Sequence, residues 1–122
     1  MLALPPSVRV YLASEPVDMR RGHDGLFELV KKWGLDPFSG DLFGFIGKRR
    51  DRAKILVWYR GGFVLIYKRL EKGRFQIPRV APGSTRAVLD ATELTMLLDG
   101  IDLSRVKRPE LWEPKRPRDD DT

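Results

Sequence analysis

Few side chains in this 122-residue sequence are of the types that do covalent or acid–base chemistry. Cysteine is absent, which excludes disulfides, thiol nucleophiles and thiolate-bound zinc. His23 is the single histidine. A Ser–His–Asp triad would have to be built on it, yet it falls on the apolar stripe of a helix beginning at Asp18, where a histidine more often belongs to the core. Asp18, Asp24, Asp36, Asp41 and Asp51 are oxygen ligands of the kind magnesium-dependent nucleases use, but no spacing gathers them. Asp18, Asp24 and Asp36 have simpler uses at helix caps and turns. The sequence contains neither a P-loop nor a G-x-G-x-x-G run. No catalytic residue, metal ligand or cofactor site is expected.

Binding chemistry is richer. Residues 48–75 read "KRRDRAKILVWYRGGFVLIYKRLEKGRF", with cations, aromatics and aliphatics side by side. The net charge of +6 and the pI near 9.9 favour a polyanionic partner. That charge is unevenly placed: residues 48–86 hold twelve Lys/Arg against Asp51 and Glu71, a net +10, while residues 1–47 sum to −1 and residues 87–122 to −3. A charge run is commonly no more than a solvated face. One this dense and interleaved with rings has the composition of a nucleic-acid surface. The candidate binding residues are Lys48, Arg49, Arg50, Arg52, Lys54, Trp58, Arg60, Phe63, Tyr67, Arg69, Lys72 and Arg74.

The elements that must position them are legible from periodicity. "SVRVYL" alternates Val8, Val10 and Leu12 against Arg9 and Tyr11, the pattern of a half-buried strand. Leu26, Leu29, Val30 and Trp33 mark a helix that Gly34 ends, with Asp18 or Asp24 as alternative N-caps. "DPFSGD" is turn chemistry, and "LFGFIG" a short strand in which Gly44 marks a bulge or a close approach. "AKILVWYR" and "FVLIYKRL" flank Gly61-Gly62 as a hairpin with a primed turn. "RFQIPRV" reads as one more strand, on an edge because Pro78 cannot donate to a ladder. "LDATELTMLLDG" is a second helix with Asp90 and Glu93 as capping box and Gly100 as its stop.

With Gly61-Gly62 as the turn, Arg60 pairs with Phe63 and the hairpin faces sort. Ile55, Val57, Tyr59, Val64, Ile66 and Lys68 form a mainly aliphatic face, expected to pack on both helices. Lys54, Leu56, Trp58, Arg60, Phe63, Leu65, Tyr67 and Arg69 form the other, where cations alternate with rings as in single-strand binders. That face also fits a second packed layer beneath a loop.

Residues 1–105 are expected to form one domain, and residues 106–122, with three prolines, a flexible charged tail. No segment has the ~18 apolar residues of a membrane span, and the N-terminus lacks the pattern of a signal peptide, so a cytoplasmic protein with no membrane partner is expected.

"DMRRGHDGL", the 42–75 run and "LTMLLDGID" resemble, in order and spacing, the small TnpB-type accessory protein of insertion-sequence-66-type bacterial transposable elements. The resemblance spans residues 8–103, with Gly61 standing where a more polar turn residue is expected. It implies a bacterial protein without catalytic residues, encoded beside a DDE-type transposase and assisting transposition. Residues and resemblance together give an α+β domain: an antiparallel sheet of four to five strands with a central Gly-Gly hairpin, packed by two helices. The expected function is nonenzymatic nucleic-acid binding in transposition, with DNA and the element-encoded transposase as partners. An adaptor that binds the transposase through Trp58, Tyr67 and Phe63, an RNA-binding regulator and a metal nuclease are the alternatives.

Overall fold

Leu42–Ile46 is apolar at every position and buried at every position. A strand of that composition must be covered on both faces. In the computed structural model, which describes residues 7–109, it is the middle strand of a five-stranded sheet. Numbered along the chain, the strands are β1 (Val10–Ala13), β2 (Leu42–Ile46), β3 (Arg52–Tyr59), β4 (Gly62–Arg69) and β5 (Arg86–Leu89). Their order across the sheet is β4-β3-β2-β1-β5. β1 and β2 run parallel, joined by a crossover that contains α1 (His23–Lys32), and the other neighbours are antiparallel. The α+β class holds, with one parallel pair because residues 14–41 are long enough to carry the chain back over the sheet.

The helices lie on opposite faces, which corrects the expectation that both pack on the aliphatic side of the hairpin. α1 sets Leu26 and Val30 against Ala13, Phe43, Phe45 and Leu56. α2 (Ala91–Leu98) sets Leu94 and Leu97 on the other side, among Val10, Leu12, Ile46, Ile55, Val57 and Phe75. The physical reason is β2 itself: Phe43 and Phe45 point away from α2, and covering each removes surface worth about 2–3 kcal/mol from water.

α2 carries the expected capping box, with Glu93 N donating to Asp90 Oδ1 at 2.8 Å and Asp90 N to Glu93 Oε1 at 3.0 Å. α1 starts between the two proposed caps. Gly22 is its N-cap without a side-chain bond, Asp24 lies in the first turn, and Asp18 is occupied by Arg20. His23 is therefore exposed at the helix start and not part of a core stripe. Gly34 ends the helix with φ +76°.

Three further corrections concern strands. The β3–β4 turn is Arg60-Gly61, with φ +46° and +84°, and the ladder runs from Tyr59↔Gly62 through Trp58↔Phe63 to Arg52↔Arg69. That register differs from the expected one by two positions. An even slip preserves which residues share a face and changes only who opposes whom. Residues 74–80 are irregular and not an edge strand: Phe75 is buried and Pro78 interrupts any ladder. The strand missed by the sequence reading is β5, which pairs with β1 instead.

Gly44 proves to be a close approach within a regular ladder, since a Cβ there would lie 3.0 Å from Leu12 Cδ1 and 3.2 Å from Ile55 Cδ1. Of the expected tail, Arg108 returns to the α2 cap, its Nη1 lying 3.1 Å from Asp90 Oδ2. Residues 1–6 and 110–122, where the absence of a leader and most of the flexible tail were expected, lie outside the described residues. No helix among the described residues is long and apolar enough to cross a membrane.

Candidate nucleic-acid interface

The turn between β2 and β3 presents Lys48, Arg49 and Arg50, all exposed. Arg50 N donates to Gly47 O at 2.9 Å and Gly47 N to Arg52 O at 3.0 Å, closing a tight loop in which Arg50 adopts φ +63°. Two straps hold other segments against it. On one side Leu70 N donates to Asp51 O (2.7 Å) and Phe75 N to Arg50 O (2.6 Å), with the buried Phe75 ring as anchor. This brings Lys72 and Arg74 to the turn. On the other side Val17 N donates to Ile46 O at 2.9 Å, and Lys54 Nζ clasps the carbonyls of Met19 (2.7 Å) and Arg21 (2.8 Å), which positions Arg20.

The turn stands between two clefts. One, of about 550 Å³, is walled by residues 17–20, Gly47 and Arg52; the other, of about 340 Å³, by residues 70–74. Both are bounded by Lys48, Arg49 and Asp51. Together their linings hold six cations, Arg20, Lys48, Arg49, Arg52, Lys72 and Arg74, against Asp18, Asp51 and Glu71, a net +3. Arg50 adds another charge beside them. Two of the three carboxylates are already engaged, Asp18 with Arg20 at 2.7 Å and Glu71 with Arg69 at 3.0 Å. Hydrogen bonds from the Arg20 side chain and backbone hold the Asp18 carboxyl well below the usual carboxylate range. No ion pair among the described residues engages Lys48, Arg49, Arg50, Lys72 or Arg74. Arg52 Nε and Asp51 Oδ1 are buried without a hydrogen-bond partner. Sealed from solvent, those two atoms are also sealed from a ligand.

The structure divides the twelve sequence candidates. Lys48, Arg49, Arg50, Arg52, Lys72 and Arg74 converge at this end of the sheet. Lys54 points its ammonium into the carbonyl clasp, 5.7 Å from the Tyr67 ring centroid. Arg69 is paired with Glu71, and Arg60 sits in the hairpin turn over Tyr59. That turn is the far end of an eight-residue strand, ~25 Å away. Nor do the three aromatics form one platform. Trp58 and Phe63 are half-buried and pack edge-on with centroids 5.1 Å apart, and each also meets Phe38. Phe63 further contacts Phe27 of α1 at 5.7 Å. Tyr67, 51% exposed, stands apart beside Lys54.

Arg20, Phe27 and Phe38 were missed. Arg20 lies in a segment of net negative charge, where its neighbour Asp18 reads as a cap or a metal ligand and not as an ion-pair partner. Phe38 sits in a turn sequence, where a large ring in "DPFSGD" was itself the available signal. The five aspartates considered as metal ligands do not assemble: among the described residues no group of three potential ligands occurs. Asp36 accepts from Phe38 N at 2.9 Å, and Asp41 from Arg9 N at 3.2 Å.

A family model described as IS66 Orf2 like protein matches residues 8–108, nearly the whole described chain. The chain belongs to this family. Membership makes it a transposition-associated accessory protein of an insertion element, in a family that is not a known enzyme class. Two similar proteins come from Sinorhizobium fredii (strain NBRC 101917 / NGR234). Uncharacterized protein y4jC is 38% identical over 117 residues, covering 95% of this chain and 98% of its own length. Uncharacterized protein y4hO is 35% identical over 118 residues, with the same two coverages. No solved structure matches the chain.

Proposed function

We propose that this IS66 Orf2-like protein is a nonenzymatic, DNA-binding accessory factor in transposition, and that it binds through the cationic end of the sheet. The observation that carries this reading is the convergence of Lys48, Arg49, Arg50, Lys72 and Arg74 from two separate loops, none engaged by an ion pair among the described residues. Cations that merely solubilised a surface would gain nothing from being strapped together. Mutual repulsion makes such a cluster costly unless a polyanion neutralises it. The aromatic face is not needed for this task, because Trp58 and Phe63 are occupied by Phe27 and Phe38.

A titration of the pure protein against DNA at several salt concentrations tests the reading. Each neutralised phosphate releases counterions, so log affinity is expected to fall with log salt by about 0.7–0.9 per contact. Absence of binding at low salt would overturn it. A second reading, an adaptor for the element's transposase, is favoured by the far end of the hairpin, where Phe38 is 50% exposed against Trp58 on one face and Tyr59 41% exposed on the other. Rings so placed suit a protein interface, and that surface is compatible with DNA at the other end.

A further inference from the structure

We infer that the DNA is a duplex, gripped at its minor groove, with the Lys48–Arg49–Arg50 turn directed into the groove and the two phosphate backbones lying in the flanking clefts; this rests on the DNA-binding reading above. Three observations lead there. The first is shape. A convex tip between two concave channels, each sharing Lys48 and Arg49 and each having its own outer cation, complements a groove bordered by two ridges of phosphate. Arg20 walls one channel; Lys72 and Arg74 wall the other. A single strand would fill one channel and leave the other's cations unmatched.

The second is what the tip lacks. Single-strand binders hold splayed bases on exposed rings, and neither cleft is lined by an aromatic residue. The third is steric. A free two-stranded ribbon can enter the ~12 Å major groove, but β2 and β3 are inner strands, covered by α1 on one face and α2 on the other. Only side chains at the turn can reach into DNA. Long cationic side chains suit the narrow, strongly negative minor groove of A·T tracts, where width and potential are read more than base identity.

The test is fluorescence anisotropy on the whole chain with four probes of equal phosphate number: an A·T-tract duplex, a G·C duplex, a single strand and duplex RNA. Expected is a preference of at least about tenfold for the A·T duplex over the single strand, and displacement by a small minor-groove-binding drug. Duplex RNA, whose minor groove is wide and shallow, is expected to bind more weakly. The exposed-turn variant Arg49→Ala should lose the A·T preference while melting as wild type. Equal or tighter single-strand binding, or binding indifferent to the drug, would overturn the groove inference and leave DNA binding standing. Failure to bind any probe at low salt would remove both.

Discussion

At the scale of single residues, composition and context pull apart. Trp58 has the chemistry of a base-stacking ring, but edge contacts with Phe38 and Phe63 make it part of the cover over α1's side of the sheet. Trp58→Ala is therefore expected to cost about 2 kcal/mol of stability, below the range for fully buried rings because Trp58 is half-exposed. Tyr67→Ala, at an exposed position, should stay within about 0.5 kcal/mol. Chemical denaturation measures both, and DNA affinity should be unchanged in each. Lys54 illustrates the same divergence: a cation counted toward a phosphate surface is spent on two backbone carbonyls, where it ties the segment before α1 to β3.

At the scale of elements, the hairpin gives a direct check on register. Residues in the left-handed region are Arg60 and Gly61, whereas Gly62 begins β4 with no atom within 4 Å of a would-be Cβ. Gly61→Val is expected to cost about 1–2 kcal/mol or more, because a side chain is strained at that φ. Gly62→Val should be neutral or stabilising, since a β-branched residue suits a strand and narrows the unfolded ensemble. Thermal melts of the two variants decide it; equal losses would restore the Gly61-Gly62 turn. How much was legible follows from such details. The strands of the hairpin, its two residue sets and the whole of α2 with its capping box were readable, since each is written in local periodicity or capping chemistry. The side on which each helix packs was not, because it depends on the β1–α1–β2 crossover, a long-range choice. β5 escaped because Arg86–Leu89 is only four residues and abuts the α2 cap. Residues 74–80 misled because their alternation serves to bury Phe75 beneath the loop, not to build a ladder. Of the candidate site, the cationic turn was legible as a charge run, but its union with residues 70–74 and Arg20 is tertiary.

At the scale of the molecule, the two ends of the sheet differ in chemistry. One gathers cations around two clefts, five of them in no ion pair among the described residues; the other exposes Phe38 and Tyr59 around the Arg60-Gly61 turn. A protein so polarised can hold DNA at one end and leave the other for a second partner. The most direct test of that polarity compares two charge reversals at exposed positions: Arg49→Glu with Lys72→Glu at the cationic end, and Arg60→Glu at the far turn. Both variants should melt as wild type. In a DNA titration at about 0.1 M salt the double reversal is expected to abolish binding, while Arg60→Glu retains nearly all of it, because a charge ~25 Å distant is screened beyond a Debye length of about 10 Å at that salt. Loss of binding in Arg60→Glu, or its persistence in the double variant, would contradict the account.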